Sequence, residues 1–175
     1  MNIAVYCGSK EGNNPTYAQA AKDLGQWIGQ HHYGLCYGGA TNGLMGIVAN
    51  STLEHGGQVI GVVPQSLHDR ETWHEGLTDL IQVENLTQRK AIMAEKSDAY
   101  LALPGGPGTL EEISEMISWS RVNFHQKPCI IFNVDGFYDH LHAYLYLMVS
   151  DGFITHDDLK NVYFIQNVTE LAEIL

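Results

Sequence analysis

Apolar runs and helical stripes alternate along nearly the whole chain. Five runs, at 2–7, 34–37, 58–63, 99–103 and 128–133, are apolar without strict alternation, the pattern of strands covered on both faces. Two more polar runs, 79–83 and 162–165, carry the same aliphatic and aromatic residues and extend the set. Between the runs, 15–30 places Ala18, Ala21, Leu24, Gly25 and Ile28 on one stripe and predicts a helix. Further helices are predicted over 44–55, 86–96 and 109–124, the last with Leu110, Ile113, Met116 and Ile117 inward. A helix over 137–149 stops at Asp151-Gly152, and 169–175 closes the chain as a short helix. The alternation predicts an α/β fold: a Rossmann-like open parallel sheet with helices on both faces, in a single domain over 1–175. No repeat or linker interrupts it, and the longest irregular stretch, 64–77, has the length of a functional loop.

Three of the predicted strands end in glycine-rich turns. They are Cys7-Gly8-Ser9, then Tyr37-Gly38-Gly39-Ala40-Thr41-Asn42-Gly43, then Leu103-Pro104-Gly105-Gly106-Pro107-Gly108-Thr109. In a parallel sheet all three lie at the carboxyl ends of strands, where such folds bind ligands. Glycine lets the backbone approach an anion, and the helix start behind it adds free N–H donors and partial positive charge. Any one such turn is also an ordinary tight connection; three on one sheet edge favour a phosphate-bearing ligand. None has the Lys of a P-loop, and 38–43 lacks the Gly-x-Gly-x-x-Gly spacing. Ser9 and Gly39 belong to these turns as ligand contacts.

Net charge changes the picture. At −11 the chain repels polyanions, which makes nucleic acid and anionic membrane surfaces poor partners, and neither is expected. Arg89-Lys90 is the one adjacent basic pair, at the start of the third helix, where a cation is mildly unfavourable. It is either a solvated face or a clamp on a phosphate or ribose. Thr109 and Glu112 have capping-box spacing, so Glu112 either closes its own helix or presents a carboxylate, kept anionic by the helix start, to a developing positive charge. Glu111 and Glu115 crowd the same place. Trp73 and Trp119 are candidates to stack a base. The nine histidines show no ligand spacing, and no metal is expected. Cys7, Cys36 and Cys129 sit in strand-like runs and read as buried thiols. With no leader-like start and no run of membrane-spanning length, the expected location is the cytoplasm.

Taken together, Cys7-Gly8-Ser9 with Pro15, Tyr37-Gly38-Gly39 with Gly43-Leu44-Met45-Gly46, Arg89-Lys90 with Met93, and the run from Pro104 to Glu112 resemble the Lonely Guy family. Its members are cytokinin riboside 5′-monophosphate phosphoribohydrolases, long mislabelled lysine decarboxylases. The likeness covers about residues 2–154. It implies hydrolysis of the N-glycosidic bond of a nucleoside 5′-monophosphate, whether cytokinin riboside 5′-monophosphate or AMP, without a cofactor, in a homodimer with its site near the subunit contact. It implies Arg89 and Glu112 as the catalytic pair. Glu71, Lys90, Met93, Ser118 and the run Gly105, Gly106, Pro107, Gly108, Thr109, Leu110 and Glu111 are implied as the substrate lining. Ala40 stands where the family has a third glycine and Ser118 where Thr is common, while 66–80 matches least well and leaves the base open.

Two rival readings remain at this stage. One is a non-catalytic carrier of a phosphorylated nucleotide or pterin cofactor, which gains nothing from an acid beside the sugar. The other is a decarboxylase, which needs pyridoxal phosphate on a Schiff-base lysine, with Lys90 alone near the site.

Overall fold

A computed structural model describes residues 1–65 and 73–175. Seven strands form one all-parallel sheet: β1 (Asn2–Tyr6), β2 (Gly34–Tyr37), β3 (Gln58–Pro64), β4 (Asp79–Val83), β5 (Ala99–Ala102), β6 (Cys129–Phe132) and β7 (Val162–Ile165). The spatial order is β4-β3-β2-β1-β5-β6-β7. The chain winds outward from β1 to β4, then returns to lay β5 along the other side of β1, with Ile3 beside Ala99 and Tyr6 beside Ala102. That reversal makes the carboxyl ends of β1 and β5 the switch point, where neighbouring loops diverge and leave a crevice.

Alternate side chains of each strand feed opposite cores, as the period of two requires. Ile3, Val5, Leu35, Tyr37, Leu101 and Ile130 face α1 (Pro15–Gln30) and α2 (Gly43–Glu54). Ala4, Tyr6, Cys36, Tyr100, Ala102 and Ile131 face α3 (Leu86–Lys96), α4 (Pro107–Arg121) and α5 (Asp139–Ser150). Double coverage explains why the strands read as unbroken apolar runs. Helix starts follow local chemistry: Asn14 accepts from the Thr16 N–H with Pro15 at the first helical position, and Asn85 accepts from the Gln88 N–H at 3.0 Å.

Several helix boundaries differ from the sequence reading, and three of the differences have a local origin. The fourth helix opens at Pro107, two residues before Thr109, because proline's fixed φ suits a first turn that needs no N–H from it. The fifth is preceded by a 3-10 turn at Val134–Gly136. The final segment is a 3-10 helix, Val168–Glu173, held by an Asn167–Glu170 capping box rather than an α-helix from Thr169. Cys7, Cys36 and Cys129 are free and buried, and burial raises all three thiols, Cys36 to about 11 and Cys129 to about 12.

The central strands β1, β2, β5 and β6 are buried over nearly their whole length. Replacing Leu101, fully buried in β5 between β1 and β6, with Ala should lower stability by about 2–5 kcal/mol, read as a fall in the urea midpoint at unchanged slope.

Candidate active site

The glycine turns after β1 and β5 meet at the switch point. The Gly8 N–H donates to the Pro104 carbonyl at 3.1 Å, joining the two turns into one crest. The turn after β2 packs beside it. Gly43 there has φ +63°, and a Cβ would run into the backbone of Ser9 and Lys10, so glycine is needed for both conformation and space.

On one side of the crest lies a cleft of about 320 Å³. Its walls are Cys7 to Ser9 from the first turn, Met45 from α2, Leu86, Arg89 and Lys90 from α3, and Gly106 to Thr109, Glu111 and Glu112 from α4. Gly106 caps α4 and no side chain among the described residues caps the helix, so the first-turn N–H groups of Gly108 and Thr109 are left for another partner. The capping-box reading of Glu112 therefore fails. With Gly106 as the cap, Thr109 is the third helical residue and Glu112 the sixth, beyond reach of the cap.

Glu112 instead faces Arg89. The Arg89 Nη2 lies 3.8 Å from Glu112 Oε1, within ion-pair range but too long for a hydrogen bond. The two side chains are only 9% and 14% exposed, and Arg89 Nε is buried without a hydrogen-bond partner among the described residues. The solvated-face reading of Arg89 is overturned by that burial. Gly38 makes room for it: a Cβ there would strike the guanidinium, with Cζ only 3.1 Å away. Burial pushes the Glu112 carboxyl up to about 7, with Arg89 and Lys90 opposing and Glu111 and Glu115 reinforcing the rise. The expectation of a carboxylate kept anionic by the helix start is thus corrected. Desolvation six residues into the helix outweighs the terminal dipole, which fades within the first turn.

Lys90 has other partners. It pairs with Glu111 and, at 3.2 Å, with Glu115, one turn apart on α4. The Glu111 hydrogen bond raises its pKa. Adjacent residues of α3 thus engage a run of acids on α4, which fixes the two helices across the cleft.

The remaining sequence candidates separate. Ser9 lines the cleft, and Gly105 lies on the far side of the crest. Met93 is buried in the core beneath α3, and Gly39 takes φ +82° in the turn after β2. Leu110 and Ser118 line a groove between α4 and α5, away from the Arg89–Glu112 cleft. Glu71, with residues 66–72, lies outside the described residues. Trp73 forms an antiparallel bridge with Ala40, and Trp119 packs toward Phe124. Among the described residues no group of three or more His, Cys, Asp or Glu could hold a metal ion. The sequence reading missed Cys7 and Met45 in the lining and Glu115 as a Lys90 partner. The i,i+4 spacing of Glu111 and Glu115 was the available signal for the last.

A family model described as "Possible lysine decarboxylase" matches residues 45–175. The chain is 39% identical over 173 residues to the Arabidopsis thaliana cytokinin riboside 5′-monophosphate phosphoribohydrolase LOG2, covering 99% of this chain and 81% of that protein. It is 44% identical over 155 residues to the Rhodococcoides fascians enzyme of the same description, covering 88% and 78%. Among solved structures, the molybdenum cofactor binding protein from Rippkaea orientalis superposes with a TM-score of 0.74 at 25% identity, covering 98% of this chain and 93% of that one.

The raised Glu112 pKa has a defined sign in stability. Between 4.5 and about 7 the unfolded carboxyl is ionised while the folded one keeps its proton, so the folded state binds more protons and loses stability as pH rises. The span is worth roughly 3 kcal/mol. Glu112→Gln removes it. Urea unfolding at a series of pH values should show the variant gaining on the parent as pH rises through that window; a constant difference contradicts the assignment.

Proposed function

The chain belongs to the family of the cytokinin riboside 5′-monophosphate phosphoribohydrolases, matched by the model described as "Possible lysine decarboxylase", and from that premise we propose that it cleaves the N-glycosidic bond of a nucleoside 5′-monophosphate with water. The products are free base and ribose 5-phosphate. Both cytokinin riboside 5′-monophosphate and AMP belong to the proposed substrate class. The observation that carries the reading is the buried Arg89–Glu112 pair beside an uncapped helix start in one cleft.

The 5′-phosphate docks on the Gly108 and Thr109 N–H groups, and this remote binding fixes the ribose. The C1′–N bond breaks with its electron pair going to the base, and C1′ becomes oxocarbenium-like. Ionised Glu112 faces that charge and accepts a proton as water adds to C1′. The departing base takes up a proton from solvent and Glu112 returns its proton to water, so that base and ribose 5-phosphate leave neutral in proton count. Arg89, held over Gly38, keeps the carboxylate in place and favours its ionised form. Lys90 fixes α3 against α4 through Glu111 and Glu115.

The decarboxylase reading fails on Lys90. A Schiff-base lysine must reach its neutral amine form, whereas the acids around Lys90 stabilise the ammonium. A non-catalytic carrier shares the frame but has no use for a buried acid facing Arg89.

The outer surface of α4 and α5 supports a homodimer. Leu110 and Tyr144 are exposed on the groove that Ile117, Ser118 and Met148 also line. A second copy seated there would cover this apolar surface and bring Leu110 and Ser118 into the subunit contact. No helix among the described residues is long and apolar enough to cross a membrane, and the three free thiols suit the reducing cytoplasm, the location that completes the proposal.

Incubation with AMP and with isopentenyladenosine 5′-monophosphate should release free base, read by chromatography; release from neither refutes the reading. Glu112→Gln should lower kcat by ~100-fold or more. For the parent, kcat/KM should rise with pH and level off above about 7, where Glu112 is ionised. Sedimentation should give a dimer for the parent and a monomer for the Leu110→Asp, Tyr144→Asp double variant.

A further inference from the structure

The crest has a second side. Gly8, Ser9, Gly106 and Pro107 also back a cleft of about 380 Å³ whose far walls are Tyr17, Leu44 and Phe137. Lys10 and Glu11 lie on its rim. The Tyr17 and Phe137 rings meet edge to face, with centroids 5.5 Å apart at 78°, and form an apolar corner. The fold holds that corner in place through Asp135, which accepts from Asn14 Nδ2 at 2.9 Å and Thr16 Oγ1 at 2.8 Å. These bonds tie the start of α1, which carries Tyr17, to the turn that carries Phe137. Asp135 adopts φ 50° to do so, a left-handed conformation uncommon outside glycine.

We propose that this cleft is a second, non-catalytic binding site for an aminopurine ring. Its volume falls within the small-ligand range of about 300–1,000 Å³. Two perpendicular aromatic rings offer a planar heterocycle one face for stacking and one edge for a T-shaped contact. The side chains of Lys10 and Glu11 make no ion pair or hydrogen bond among the described residues. Side by side at the rim they supply a donor and an acceptor, the complement of a ring nitrogen and the exocyclic amine next to it. Their charges cancel, so the cleft selects the ring rather than a phosphate. The choice of a purine among planar heterocycles rests on the hydrolase reading above.

Adenosine is the discriminating probe, since it lacks the phosphate that the catalytic cleft grips. Titration calorimetry should show saturable adenosine binding, equal in the parent and in Glu112→Gln. Binding should weaken about tenfold or more in Phe137→Ala and in the Lys10→Met, Glu11→Gln double variant. Both of these should still release base from AMP at the parent's rate. No saturable binding overturns the proposal, as does binding indifferent to Phe137, Lys10 and Glu11. Base release from AMP by the same parent preparation is scored separately: its absence refutes the hydrolase reading, while the adenosine titration alone decides the second site.

Discussion

A guanidinium and a carboxyl taken out of water together, Arg89 against Glu112, are the constraint around which the cleft is arranged. At 3.8 Å and largely desolvated, the pair is too far apart to be repaid by a hydrogen bond. Its cost appears as a carboxyl that titrates near 7 instead of near 4.5. A group poised there is ionised or protonated with little free energy difference at neutral pH, which suits an acid that must face a developing cation and then take up a proton. An isolated ion pair at the surface has no such property.

Everything close to the pair serves to place it. The reversal of strand order at β1 and β5 opens the crevice, and the Gly8–Pro104 bond joins the two turns into its crest. Gly38 leaves room for the guanidinium where any side chain would displace it. Lys90 anchors α3 to Glu111 and Glu115 of α4 and so sets the distance across which Arg89 and Glu112 face each other. The uncapped start of α4, Gly106 to Thr109, lines the same cleft. The unmet Arg89 Nε sits at the site, and its cost is offset by the two apolar cores on either side of the sheet.

The fold was largely legible in the sequence because its strands are short, apolar and separated by clear helical stripes. The seven observed strands fall on the seven predicted runs, and α1 and α3 match their predicted limits. The site was legible in composition but not in geometry. Spacing alone made Thr109 and Glu112 a capping box, since the position of the cap depends on Pro107 beginning the helix two residues earlier. The basic pair at 89–90 looked like one clamp, yet its members point to different acids, because neighbours on a helix are about 100° apart. The burial of Arg89 depends on Gly38, which lies 51 residues away in the chain, and no local pattern reports that contact. Leu110, set inward by the helical stripe and into the lining by family likeness, is exposed, and with Ser118, placed by family likeness alone, it lies on an outer face of the single chain.

The most direct test is a crystal structure of the Glu112→Gln variant with an intact nucleoside 5′-monophosphate. The phosphate should rest on the Gly108 and Thr109 amides, with the anomeric carbon facing residue 112 in the Arg89 cleft. A nucleotide whose sugar lies across the crest, turned away from residue 112, would contradict the account.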